Sequence, residues 1–158
     1  MKKTILLLFL FFTTNLTFAQ LEEENALKNV VLQLFEGIQK HDSTLLKNVF
    51  HTSARIQVIG VHRLTGKNAI TTENEIDKFI KQICRNSINI SMREVPKSFE
   101  YRIDNQLATV WTPYEFYIKE FPTVDEHLSH RGVDSFQLYK TDEGWKILSL
   151  VYTIRRLE

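Results

Sequence analysis

The segment SHRGVDSFQLYK (129–140) alternates like a β-strand yet carries a histidine, an arginine and an aspartate. Strand side chains point alternately to opposite faces. His130, Gly132, Asp134, Phe136 and Leu138 therefore share one face, and Arg131, Val133, Ser135, Gln137 and Tyr139 share the other. In the preceding run LATVWTPYEFYIK, Val110, Thr112, Tyr114, Phe116 and Ile118 form the more apolar row, opposite Trp111, Glu115, Tyr117 and Lys119. A hairpin closed by residues 120–126 and joining the two apolar rows places Tyr114 across from Asp134 and Ile118 across from His130. Pro113 cannot donate to the ladder, so a bulge there would swap the parity of everything before it and turn Trp111 inward.

The chemistry of that face centres on Asp134. A carboxylate among Tyr114, Phe116, Phe136 and Tyr152 has its pKa raised, because desolvation penalises the charged form. Such a group works as a general acid or base near neutral pH. With Tyr114 or His130 donating to a developing oxyanion, the site could move a proton next to a carbonyl. Asp134, His130 and Tyr114 are thus the candidate catalytic residues. Trp111, Tyr114, Phe116, His130, Asp134, Phe136 and Tyr152 are the candidate ligand contacts. The bland alternative is that Asp134 accepts hydrogen bonds from Tyr114 or a loop amide and satisfies a polar patch.

Other chemistries fit poorly. His130 and Asp134, four residues apart on one strand, stand roughly 13 Å apart and cannot form a hydrogen-bonded dyad. No serine is placed as a nucleophile. His41, His51, His62, His127 and His130 have no ligand spacing beyond a loose H-x-x-H, so no metal or cofactor is expected. Cys84, the single cysteine, falls on the apolar side of IDKFIKQIC and reads as buried filler. Trp111, Tyr117, Trp145 and Tyr152 also read as core or dimer contacts, and Arg155 and Arg156 as a solvated end. His51 and Arg63 lie near loops that could rim the pocket.

These residues need elements to position them. MKKTILLLFLFFTTNLTFAQ has two lysines, an apolar run over Ile5 to Phe12 and small residues at Thr17 and Ala19, the pattern of a secretory signal peptide cleaved after Ala19. No cysteine near that point offers a lipid anchor. The remaining 139 residues (20–158) suit one domain with a net charge of −1, which directs the protein toward neither nucleic acid nor anionic membrane. Leu27, Val30, Val31, Leu34, Phe35 and Ile38 mark a helix over Glu22 to Lys40. Asp42 caps a second helix through Leu46, Val49 and Phe50, ended by His51-Thr52-Ser53. Residues 54–61 read as a strand, followed by a loop with Gly60 and Gly66. Thr72 and Glu75 have capping-box spacing ahead of a third helix with Ile76, Phe79, Ile80 and Ile83. Eleven of the fourteen aromatics after Ala19 lie beyond residue 98, in alternating runs that predict an antiparallel sheet. Asp104-Asn105 and Thr141-Asp142-Glu143-Gly144 supply hairpin turns.

Helix hairpin, strand, third helix, then a meander is the element order of the nuclear-transport-factor-2-like superfamily. VFHTSARI, WTPYEFYI, SHRGVDSFQLYKTDEGWKI and VYTIRR resemble its secreted bacterial members, some of them called SnoaL-like or lumazine-binding-like. The resemblance covers nearly all of residues 25–156. It implies an α+β, cone-shaped, cystatin-like fold, with N-terminal helices packed on a curved antiparallel sheet around a cavity, and frequent homodimers. Ketosteroid isomerase and scytalone dehydratase are relatives whose catalytic sets this sequence does not match. The expectation is an exported, periplasmic or secreted domain that binds a small, partly apolar molecule. The alternatives are an isomerase or dehydratase using Asp134, and a non-catalytic domain whose pocket is filled and whose sheet mediates dimerisation.

Overall fold

A computed structural model describes residues 2–62, 65–73, 75–85, 89–120 and 125–157, with side chains from Gln20 onward. Arg63 and most of the 120–126 hairpin loop lie outside the described residues. The first helix, α1 (Lys2–Lys40), starts well before Glu22, running through the apolar N-terminal stretch without a break. Its stripe is as expected: Leu27, Val31, Leu34, Phe35 and Ile38 are buried against the sheet. Each such side chain contributes roughly 1.5–3 kcal/mol through loss of apolar surface to water. Glu23 fastens the helix to the sheet, accepting from Trp145 Nε1 at 2.7 Å and pairing with Lys140.

His41 ends α1 in the left-handed region, and Asp42 caps α2 (Ser43–Val49), its carboxylate accepting from the amides of Thr44 at 2.8 Å and Leu45 at 3.1 Å. β1 (Phe50–Val61) begins at Phe50, earlier than expected, because Phe50 pairs with Ile147 of a later strand instead of closing the helix. The stretch read as a loop holds a further strand, β2 (Asn68–Glu73), antiparallel to β1, with Gly66 at φ 65 in the turn between them. Thr72 is consequently a strand residue opposite Gln57 and does not cap α3 (Ile76–Arg85). Five strands complete the chain: β3 (Ile90–Pro96), β4 (Glu100–Asp104), β5 (Leu107–Glu120), β6 (His127–Thr141) and β7 (Gly144–Thr153), with a short β8 (Arg155–Arg156) added on β6.

The sheet runs β2-β1-β7-β6-β5-β3, with β4 extending the β3 side of β5. β4 with β5, β5 with β6 and β6 with β7 pair antiparallel, and at the two expected turns, between β4 and β5 and between β6 and β7, Asn105 and Gly144 adopt positive φ. β1 beside β7 is parallel, so the sheet is mixed. The three helices lie on one face, and the architecture is α+β. Among the described residues no helix is long and apolar enough to cross a membrane.

Alternation is strict where it matters. Ala108, Val110, Thr112 and Tyr114 on β5 and Gly132, Asp134, Phe136 and Leu138 on β6 are all buried, and their odd-numbered neighbours are more exposed. β7 starts with Trp145 and Ile147 facing inward, and a bulge between its pairings with Gln137 and Leu138 then inserts Leu148. That single residue reverses the parity, so Leu150, Tyr152 and Ile154 turn toward the helices.

Candidate functional site

A cavity of about 150 Å³ lies between the helices and the inner face of the sheet. Leu34, Phe35 and Ile38 of α1 and Phe79 and Ile83 of α3 form its helical side. The sheet contributes Met92, Phe116, Leu150 and Ile154, and within this apolar lining stand Glu94, Tyr114, His130, Asp134 and Tyr152. An engineered apolar cavity of about this volume holds one benzene ring.

Asp134 is 3% exposed, and its Oδ2 accepts no hydrogen bond from any amide, hydroxyl or cationic group among the described residues. The polar group that does reach it is the Glu94 carboxyl. Two carboxyls hydrogen-bond only if one keeps its proton. Burial, reinforced by the neighbouring charge of Asp134, holds Glu94 well above the usual carboxylate range, so Glu94 is the donor. Burial also pushes Asp134 up, to about 7, against the opposing effect of the bond from Glu94. The two groups titrate as a pair, holding two protons in acid and one shared proton once Asp134 has ionised.

Glu94 is absent from the candidates drawn from sequence, although a signal for it exists. In ISMREV, Ile90, Met92 and Glu94 share a row, and the register Met92↔Ile118 and Glu94↔Phe116 joins that row to the apolar row of β5. A glutamate completing an apolar strand row is a candidate buried acid.

The inward row of β5 is as expected, but its register against β6 is offset by two residues. Asp134 faces Thr112, Gly132 faces Tyr114, and His130 faces Phe116. Tyr114 thus sits between Asp134 and His130 instead of directly across from Asp134. The ladder irregularity beyond Phe116, where Ser129 is extra on β6, shifts the pairing by only one residue; Pro113 itself pairs regularly with Val133. Trp111 therefore keeps its odd parity, lies 46% exposed on the outer face, and is not a cavity residue. Phe136 is fully buried in the core against Phe35, with ring centroids 6.5 Å apart, and contributes no cavity wall.

Tyr114 donates its hydroxyl to the Thr153 carbonyl at 2.9 Å, which commits the proton expected to serve an oxyanion. Its ring lies against Gly132, where any Cβ would stand 2.0 Å from the Thr153 oxygen and 2.5 Å from the Tyr114 hydroxyl. Glycine is required there by close approach. Burial raises the Tyr114 pKa strongly and that of Tyr152 to about 12, the carboxyl pair adding to both effects, so both phenols stay neutral. Tyr152 lies directly across from Asp134 on β7, and its hydroxyl has no hydrogen-bond partner among the described residues. His130 stacks on Phe116 at 4.7 Å and bonds Ser129 Oγ through Nδ1 at 3.2 Å. Burial, helped by the charge of Arg156, lowers its pKa and favours the neutral imidazole.

The weaker candidates lie elsewhere. His51 packs edge-on against Tyr139, Trp145 is core, and Tyr117 lies on the outer face over Arg93. Arg155 and Arg156 are exposed but form a strand on β6. Cys84 is half-buried and donates to the His41 carbonyl at 3.2 Å, and burial raises its thiol pKa, as suits a packing role.

No family model matches the sequence, and no curated protein matches it. Solved structures do. A nuclear-transport-factor-2-like protein with a cystatin-like fold from Novosphingobium aromaticivorans superposes with a TM-score of 0.70 at 10% identity, over 89% of this chain and 86% of that one. A proposed scytalone dehydratase from the same organism gives 0.71 at 11% identity, over 88% of each chain. A Mycobacterium tuberculosis protein of unknown function, Rv3472, gives 0.68 at 13% identity, over 89% of this chain and 76% of its own. Such identities speak to architecture alone. The chain has the nuclear-transport-factor-2-like, cystatin-like fold, with its polar groups gathered in the cavity that the cone encloses.

Proposed function

We propose that this protein is an exported domain that binds a small, mostly apolar molecule in the cone. One observation carries the reading: a cavity of about 150 Å³ is walled by aliphatic and aromatic side chains and has one polar focus, the Glu94–Asp134 pair. Apolar pockets with a few convergent polar groups are the usual form of small-molecule sites. The leader over residues 1–19 supports export to the periplasm or beyond. Native mass spectrometry of the protein purified from its own cells tests the reading. A retained small molecule is expected, and Met92→Trp, which fills the cavity, should abolish it; retention by that variant would sink the proposal.

A second reading, proton transfer on the bound molecule by an isomerase- or dehydratase-type reaction, is favoured by the same pair. A protonated Glu94 beside an ionisable Asp134 is an acid next to a base, and Tyr152 has a free hydroxyl to offer an oxyanion. Its test is deuterium exchange from solvent into the retained molecule. Exchange in the wild type that stops in Asp134→Asn supports catalysis, and absence of exchange in the wild type excludes it.

We further propose a homodimer through the outer face of the sheet, on which Leu107, Trp111 and Tyr139 are exposed at 53%, 46% and 43%. Concentration-dependent sedimentation is the test, and a monomer at all concentrations would rule the dimer out.

A further inference from the structure

The binding reading leaves the ligand's chemistry open, and the charge balance of the cavity narrows it. One shared proton links the Glu94 and Asp134 carboxyls, and no amide, hydroxyl or cation of the described residues reaches Asp134 Oδ2. Among the lining residues none is lysine or arginine. The helices facing the pair, α1 and α3, contribute only apolar side chains to the wall. The titratable groups that face it are Tyr114 of β5, His130 of β6 and Tyr152 of β7, and none is a cation near neutral pH. Arg155 and Arg156 of β8 act on Tyr114 and on His130, outside the lining. The cavity is therefore an apolar enclosure whose negative charge, present once Asp134 ionises, has no counter-charge among the described lining residues.

We infer that the cavity takes an organic ammonium: a protonated primary amine on an apolar body about the size of one ring, its N–H groups bonded to Asp134 and Glu94. An ammonium supplies three donors and a positive charge to the group that lacks both. The aromatic faces of Tyr114, Phe116 and Tyr152 around it suit a cation, since a ring face is electron-rich. An anion there would stand beside a buried carboxylate, and a wholly apolar ligand would leave the pair without a donor. This inference rests on the binding reading of the same cavity and names its ligand class.

Calorimetry on the full protein with four probes of similar shape, benzylamine, benzyl alcohol, toluene and benzoate, separates the two. Benzylamine should bind roughly tenfold or more tightly than toluene, with benzyl alcohol between them and benzoate not detected. In Asp134→Asn the benzylamine-to-toluene ratio should fall toward one. The wild type provides a check independent of that variant's folding: the ratio should fall as pH drops from 8 to 5.5, because Asp134 takes up a proton and loses the charge that attracts an ammonium. Equal binding of toluene and benzylamine, or a ratio flat over that pH range, overturns the ammonium inference and leaves the binding reading standing. Binding of none of the four overturns both.

Discussion

Glu115 on the outer face and Glu94 on the inner face of the same sheet are chemically identical groups on adjacent strands, and the fold drives them in opposite directions. Glu115 pairs with Lys97 at 2.5 Å and Arg131 at 3.1 Å and accepts from Tyr117 at 2.9 Å, and these partners lower its pKa to about 2. Glu94 has another carboxyl as its partner and apolar walls around it, and it is raised well above the normal range. Strand parity alone decides which environment an acid receives. Outside, charges sit in a mutually satisfied network at the water boundary; inside, one charge is left for something else to complete.

The inner face should be the less forgiving of the two. Gly132→Ala sets a Cβ 2.0 Å from a backbone oxygen that belongs to the neighbouring strand and cannot swing away. A loss of about 3 kcal/mol in unfolding free energy is expected, measured by urea denaturation. Gly60→Ala, where a Cβ meets nothing within 4 Å, is the matched control and should move stability by under ~0.5 kcal/mol. Comparable losses at the two positions would contradict the close approach of Tyr114 and Thr153 over Gly132.

Asp134→Asn tests the buried charge itself. Folding raises this pKa above the value of an unfolded aspartate, so the native state binds more protons between about pH 4 and 7. Its contribution is therefore favourable below that window and is lost as pH rises through it. The wild type should lose stability relative to Asp134→Asn on going from pH 5 to pH 8, by on the order of 2 kcal/mol, read from denaturant midpoints at each pH. A difference independent of pH would show that Asp134 is ionised throughout this range and that burial does not raise its pKa.

Glu115→Gln should show the opposite slope. Its depressed pKa gives stability present above the unfolded value and lost as pH falls toward 2. The variant should track the wild type less well at neutral pH than at pH 2.5, with a small effect throughout, because the partners are exposed and salt screens them. Thermal melts at low and high salt suffice to measure it.

The same contrast explains what could be read from the sequence. Helical stripes, the Asp42 cap, both turns and the inward rows of β5 and β6 are local periodicities, and the structure follows them. Register is not local: Tyr114 faces Gly132, two residues from Asp134, the extra Ser129 shifts the β5–β6 pairing by one residue, and the extra Leu148 turns Tyr152 inward. A bulge leaves no mark in composition. Glu94 was legible as the odd member of an apolar row, but its significance appears only when β3 is laid against β5, and that pairing spans the whole β4–β5 hairpin. The acid partner of Asp134 thus came from a strand that sequence reasoning treated as framework.

Trp111 carries the smallest and most discriminating prediction. If Pro113 had forced a bulge, this indole would face the ligand, and its removal would cost affinity. With regular pairing through Pro113, it stands on the outer face opposite Ser135 and is nearly half exposed. Trp111→Ala should then change monomer stability by under ~1 kcal/mol and leave benzylamine affinity unmoved, because little buried surface is lost and none of it lines the cavity. A dimer formed through that face would respond differently: large exposed aromatics at the centre of an interface carry much of its energy. Weakened self-association in sedimentation together with intact binding in calorimetry would place Trp111 at the outer contact, whereas lost binding would return it to the cavity and overturn the parity on which the inner and outer faces are distinguished.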